Sequence, residues 1–468
     1  VRSTAAFGLA GLLLLAGCAA DPAPPAPRAV SSSAGPATSS PAGAAAGSTT
    51  FPVSAGDVRV SANVKHVANV PPRAPLNGPQ AWGTDLAFQG DHAFVGNFDG
   101  FTVFDISDPA KPSVVSQVLC PGEQNDVSVT GNLLFLSVDT ARSGPGCDAG
   151  RGGVETSSWE GIRIFDISDK AHPRFLSAVR TDCGSHTHTL VPGDAERVYL
   201  YVSSPGPEPQ TPGCPAPHNK ISVVEVPLKA PATAKVVSQP VLAQVGEEAE
   251  LLSGCHDITV YPEKNLAAAA CFGDGILMDI TDRANPKVLQ HVKDEENFAI
   301  WHSATFNNDA TKIVFGDELG GGVSATCDST IAKTKGANAV YELGADRRLR
   351  RLGYFKIPRE QTPEENCVAH NGSLLPIPGK DIMVQSWYQG GVSIWDFTDA
   401  TAPREIGFFE RGPVQGVGGS WSAYYYNGHI YSSDISKGLD VLRIDDPLTD
   451  PAKQVKTTEL NAQTQVSY

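Results

Sequence analysis

Apolar and polar residues alternate along much of this chain in short runs, the period-two pattern of half-buried β-strands. One such run returns with its flanks intact. Residues 161–173 read G-I-R-I-F-D-I-S-D-K-A-H-P and residues 100–112 read G-F-T-V-F-D-I-S-D-P-A-K-P. Residues 275–286 (G-I-L-M-D-I-T-D-R-A-N-P) and 391–403 (G-V-S-I-W-D-F-T-D-A-T-A-P) repeat the phrase. In each copy a strand pattern ends in Asp, followed by a Ser/Thr-Asp pair and a proline. Asp and Ser bond their own backbone two residues on and Pro presets φ, so the cluster predicts a turn after every such strand.

Taking the central Asp as a marker, clear copies sit at Asp105, Asp166, Asp279 and Asp396. Degenerate copies fill the gaps around Glu225, Glu342 and Arg443. Seven units separated by about 47–63 residues, each with several strands, predict a seven-bladed β-propeller with loops lengthening some blades. One unit can be written out in full: strands over 126–129, 133–138, 162–167 and 175–179, the first pair turned by Gly131-Asn132. The innermost strands are expected to begin at Thr84-Asp85, Asn125-Asp126, His188-Thr189, His256-Asp257, His302-Ser303, His370-Asn371 and Trp421-Ser422. Residues 64–70 look like an outermost strand without a blade of their own. They are expected to pair with 439–444 in the seventh blade, which would remove an exposed sheet edge. The alternative gives that place to 454–460.

The phrases at 100–109 and 161–169 resemble the LVIVD-repeat family of bacterial exported propellers, and the resemblance extends over roughly residues 58–447. It implies the propeller fold and carries no activity with it. The chain departs from the phrase in units three, five and seven.

Composition narrows the function. Asp and Glu number 51 against 36 Lys and Arg, a net charge of −15, which speaks against nucleic acid, whose phosphates need basic patches. With 46 Gly, 36 Pro and only 19% charged residues, the chain suits an all-β fold rich in turns. At the N-terminus, Arg2 precedes an apolar run over 5–16 that is too short to span a bilayer, and Leu15-Ala16-Gly17-Cys18 resembles a bacterial lipobox. The expected organisation is a lipoprotein signal peptide at 1–17, a disordered Ala/Pro/Ser/Gly-rich tether at 18–56, the propeller at 57–460 and a tail at 461–468. Acylation of Cys18 would anchor the protein to the outer face of the bacterial cell membrane.

Removing Cys18 from the nine cysteines leaves Cys120, Cys147, Cys183, Cys214, Cys255, Cys271, Cys327 and Cys367. An even count in an exported chain favours disulfides. Seven of the eight fall in connections on one face of the expected propeller, with Cys271 at the end of a strand that approaches it. Pairing within successive loops gives Cys120–Cys147, Cys183–Cys214, Cys255–Cys271 and Cys327–Cys367, each contributing about 2–4 kcal/mol.

The same face gathers the candidate chemistry. The first residues of the inner strands form a column at the channel mouth: Thr84, Asn125, His188, His256, His302, His370 and Trp421. A second column, Asp85, Asp126, Thr189, Asp257, Ser303, Asn371 and Ser422, is polar throughout. Imidazoles are common ligands for zinc, copper and iron. The layout is similar to that of the seven-bladed carotenoid-cleaving oxygenases, whose four histidines hold iron, although no sequence motif is shared. The competing reading is a wet, polar channel lip in which the histidines bond neighbouring blades. Asp85, Asp126, Asp257 and Trp421 are candidate ligand-binding residues. Trp82 and Trp301 could join Trp421 at the mouth or pack between blades.

No G-x-S-x-G, H-E-x-x-H, P-loop or G-x-G-x-x-G motif is present. Glu247, Glu248 and Glu250 read as a solvated acidic loop, and Asp139, Asp148, Glu155 and Glu160 match no calcium-loop spacing. Two functions remain. One is a binding or scaffold protein that uses its loop-rich face for a small ligand or an envelope protein. The other is a metal-dependent oxidoreductase with His188, His256, His302 and His370 at the channel mouth.

Overall fold

Every copy of the repeated phrase is the third strand of a four-stranded antiparallel sheet in the computed structural model, which describes residues 54–153, 158–206, 214, 216–242 and 254–468. The signal, Cys18, most of the tether, Glu155, Glu247, Glu248 and Glu250 lie outside the described residues. The phrase ends as its composition demands. Asp105, Asp166, Asp279 and Asp396 each accept the backbone N–H two residues on, at 2.8–2.9 Å. The second Asp of each copy, at 108, 169, 282 and 399, does the same at 3.0 Å. Two successive Asx-turns thus steer the third strand into the fourth. The glycine that opens the phrase has its own reason. Gly100 and Gly161 have φ of 150° and 144°, and a Cβ there would stand 1.9 and 2.1 Å from the carbonyl oxygens of Val118 and Val179 on the fourth strand.

Seven such sheets form the blades. Their innermost strands are Gly83–Gln89, Val127–Thr130, Thr187–Asp194, Ile258–Tyr261, Trp301–Phe306, Asn371–Leu374 and Ser420–Tyr426. The sixth and seventh are joined by a short parallel pairing of Asn371 with Ser422 and Gly372 with Ala423. Blades three, five and seven, where the phrase decays, have four strands like the others. The residues between blades are apolar. Tyr261, Leu277, Phe306, Phe315 and Trp301 fill the layer between blades four and five, and Phe88 stacks on Tyr426, with ring centroids 4.7 Å apart, between blades one and seven.

Ring closure follows the first of the two expected routes. Val64–Val70 pairs antiparallel with Gly438–Ile444, so the seventh blade takes its outer strand from the beginning of the fold. Val58–Val60 then adds a fifth strand to blade six along Arg404–Arg411. The four disulfides are Cys120–Cys147, Cys183–Cys214, Cys255–Cys271 and Cys327–Cys367. Such a set marks an exported, non-cytoplasmic protein.

The end of the chain does something its pattern does not announce. Glu459–Asn461 pairs antiparallel with the inner strand of blade one, and the following residues bond the inner strands of four more blades. The Asn461 amide takes the N–H of Val129 at 2.7 Å and donates to its carbonyl at 2.9 Å. Thr464 donates to the Leu190 carbonyl. The backbone of Gln463 and Gln465 pairs with Val260, at 2.8 Å each way, and the Gln465 amide pairs with both backbone groups of Phe306, at 2.6 Å each. An innermost strand leaves a row of N–H and C=O groups facing the channel, and buried backbone groups must find partners. Amide side chains imitate peptide groups and supply them. Asn461→Ala leaves both groups of Val129 unpaired and is expected to cost about 1–3 kcal/mol in denaturant unfolding, while Val466→Ala, at a 38% exposed position, is expected to change it little.

Candidate metal centre

The histidine column forms because the inner strands are held in register by hydrogen bonds from blade to blade. Thr187 Oγ1 donates to the His256 carbonyl at 2.7 Å and Thr189 donates to that of Ile258. One blade on, Asp257 N–H donates to the His302 carbonyl at 3.1 Å and Thr259 to that of Ala304. Within the blades, His186 N–H bonds Ser203 O at 2.9 Å, as His256 N–H bonds Ala270 O at 2.8 Å and His370 N–H bonds Ser386 O at 3.1 Å. These bonds fix which residue of each blade stands at the mouth, and in blade three it is His186.

His188 is therefore not a member of the column, and Thr187 rather than Thr189 belongs to the second. The reason is local. The chain reads His186-Thr187-His188-Thr189, and a shift of two residues keeps every side chain on its face, so the alternation fits either register. His188 is buried between blades two and three. Ser128 Oγ lies 2.7 Å from its Nε2 and Ser137 Oγ 2.8 Å from its Nδ1. Its backbone N–H donates to Asp126 Oδ2 at 2.9 Å, and its ring stands edge-on to Phe135. Burial pushes its imidazole down to about 3. This is the structural role of a blade-bonding histidine.

The other four imidazoles touch in series. Ring centroids are 4.4 Å apart for His186 and His256, 3.9 Å for His256 and His302, and 4.5 Å for His302 and His370. Three are oriented from behind. His186 Nδ1 meets Asp139 Oδ2 at 2.9 Å, His256 Nδ1 meets Asp257 Oδ1 at 2.9 Å, and His370 Nδ1 donates to the Trp421 carbonyl. Those bonds turn Nε2 of each ring away from its anchor. His302 Nδ1 has no hydrogen-bond partner among the described residues. Glu318 joins them, with carboxylate oxygens 3.7 Å from Nε2 of both His302 and His370. Tyr388 donates to Glu318 Oε1 at 2.6 Å.

Two sets present their ligand atoms within 4.8 Å of one another, all buried: His256, Asp257 and His302; and His302, Glu318 and His370. Burial pulls His256 and His302 below the ordinary imidazole range, His302 far below it, and lowers His370 to about 4. Neutral imidazole is the form that ligates metal. At His186 burial opposes the charge, but the Asp139 carboxylate outweighs it and holds the group above its usual value. Burial lifts the Glu318 carboxyl to about 7, against the hydrogen bond from Tyr388.

One contact is chemically demanding. His186 Nε2 and His256 Nε2 are 2.8 Å apart. Each ring already uses Nδ1–H toward a carboxylate, which can only accept. Two neutral rings in those tautomers would point lone pair at lone pair; a proton on His186, which Asp139 holds above its usual value, satisfies the contact.

A cavity of about 410 Å³ lies over the cluster. Asp85, Asp126 and Trp421, singled out in the sequence, line it, as do Trp82 and Phe98; Asp257 stands behind His256 as its anchor. Trp301 packs in the core against Phe315. His186, Asp139, Glu318 and Tyr388 were not picked out in the sequence as site residues. Asp139 falls in the mouth-side half of Leu133–Arg142 and Glu318 directly follows Lys312–Asp317, both second strands of their blades. An acidic residue where a second strand reaches the mouth face was the available signal.

The LVIVD repeat model matches residues 83–120 and 157–181, which are blade one and the last two strands of blade two. The protein is thus an all-β propeller carrying LVIVD repeats. No curated protein matches it. Among solved structures it is similar to the β-propeller domain of Myceliophteria thermophila Cps50 (Swd1), with 12% identity, 78% of this chain and 97% of that one covered, and a TM-score of 0.49. It is also similar to the computationally designed Ika8 protein, with 11% identity, coverage of 81% and 99%, and a TM-score of 0.45. The blade assignment rests on this chain's own strand pairings.

Replacing His188 tests its placement. His188→Ala leaves two buried serine hydroxyls and a cavity beside Phe135, and is expected to cost about 2–4 kcal/mol in denaturant unfolding. His188→Gln, which keeps hydrogen-bonding atoms there, is expected to recover part of that loss.

Proposed function

We propose that the protein is an exported metal-binding propeller that holds a transition-metal ion at its channel mouth on His256, His302 and His370, beside Glu318, with His186 packed against His256. The observation that carries this reading is the two sets of buried ligand atoms within 4.8 Å of one another, His256, Asp257 and His302, and His302, Glu318 and His370. Carboxylates behind the rings fix the tautomer and raise ligand basicity, the usual support of a metal site. Imidazole donors suit zinc, copper or iron. The cavity above the cluster supports a role in which the ion and a small ligand meet, a specific form of the binding role that fits a propeller.

A metal-dependent oxidoreductase is the second reading, favoured by the Glu318–Tyr388 pair. A buried carboxyl lifted to about 7 beside the histidines is a group that can hold or release a proton near neutrality. Lipid anchoring through Cys18 on the outer face of the bacterial membrane belongs to the same proposal, supported by Leu15-Ala16-Gly17-Cys18.

Elemental analysis of protein expressed in the periplasm with its disulfides formed tests the centre. About one zinc, copper or iron per chain is expected, lost in His256→Ala and His302→Ala and kept in His188→Ala. Folded protein that stays metal-free after incubation with each of these ions, or His302→Ala protein that keeps a full complement, contradicts the proposal.

A further inference from the structure

The wall of the cavity away from the histidines shows what kind of molecule it takes. Asp85 and Asp126 line it from adjacent blades, 4% and 5% exposed. Asp85 Oδ1 accepts the Leu86 N–H at 2.8 Å and its Oδ2 accepts the Gln463 amide at 3.2 Å. Asp126 Oδ2 accepts the His188 N–H and its carboxyl lies against that of Asp85, while Oδ1 receives no donor from the described residues. Two further buried oxygens lining the same cavity are also unpartnered, Thr84 Oγ1 and Asn371 Oδ1, on residues 1% and 7% exposed. Buried acceptors of this kind are costly when left alone, and a ligand carrying several N–H donors answers them.

Charge selects further. Glu318 is a third acid in the lining, and among the described lining residues there is no Lys or Arg. Arg142 and Arg151 line an adjoining groove that shares only Trp82 and Phe98 with this cavity. Lysine and arginine therefore offer an anion no partner on the described walls. The remaining surface is aromatic: Trp82 packs on Phe98 at 5.1 Å and Phe98 on Trp421 at 6.3 Å. Ring faces attract cations and cover apolar groups.

We infer that the cavity binds a small organic ammonium compound, its charged nitrogen at Asp126 and Asp85 and its apolar or aromatic body against Trp82, Phe98 and Trp421. The inference rests on the channel mouth being a small-molecule site and not on the ion. Burial holds both carboxyls above their ordinary range, and the Asp85 charge adds to the effect at Asp126. A cation between them offsets both penalties.

Calorimetric titration of the purified, disulfide-bonded protein with three probes of similar shape tests it: phenethylamine, neutral 2-phenylethanol and anionic 3-phenylpropionate. Phenethylamine is expected to bind at least tenfold more tightly than the alcohol, with no binding of the carboxylate. Asp126→Asn and, separately, Asp85→Asn are each expected to weaken phenethylamine at least tenfold while circular dichroism and metal content stay unchanged. Equal affinity for amine and alcohol, preference for the carboxylate, no amine binding up to millimolar concentration, or full amine affinity in both folded variants overturns the inference. Metal content measured on the same samples separates this failure from failure of the metal centre.

Discussion

The hydrogen bonds that lock each innermost strand to the next decide everything functional in this molecule. Apolar packing between blades fills space, but it does not by itself say which polar residue of each strand stands at the channel mouth. Specific register comes from polar bonds at the channel wall, such as Thr187 to the His256 carbonyl and Asp257 N–H to the His302 carbonyl. With that register four imidazoles meet in one chain of contacts. A two-residue slip in blade three would put His188 at the mouth in place of His186, and Ser128 and Ser137 would lose the imidazole they bond.

The rest of the architecture keeps that register. Val64–Val70 closes the ring from the N-terminal side, while the last residues cross the channel and bond the inner strands of five blades. The disulfides pin the connections on the mouth face. Gln463 links this plug to the cavity through Asp85, so the acid wall of the site and the end of the chain are mechanically one piece. A site held on strands, with anchors behind each ring, is preorganised in the sense that rigid elements rather than loops set its geometry.

Much of the fold was legible because a propeller repeats its grammar. Alternation gave the strands, the Asp, Ser/Thr-Asp turn marked the third strand of four blades, and the degenerate copies around Glu225, Glu342 and Arg443 filled the gaps between them. Loop succession gave the cysteine pairing. The places where reading failed share a physical cause, which is that no pattern distinguishes them. His-Thr-His-Thr is its own image after a shift of two. Glu318 looks like any loop acid until the blades bring it beside His302 and His370. The tail, Asn-Ala-Gln-Thr-Gln over 461–465, has no apolar alternation, since its work is done by side-chain amides standing in for backbone. The anchoring of His256 by its own neighbour Asp257 also escapes strand logic, where adjacent side chains point apart; it occurs because His256 precedes the regular pairing of Ile258–Tyr261.

Anomalous diffraction from a crystal of the metal-loaded protein, recorded at the absorption edge of the bound metal, tests this account most directly. It predicts a single strong peak at the channel mouth, about 2.0–2.1 Å from imidazole nitrogens that include those of His256 and His302, with His188 remote from it. A peak at His188, or at a surface site away from the mouth with the four imidazoles unligated, would contradict it.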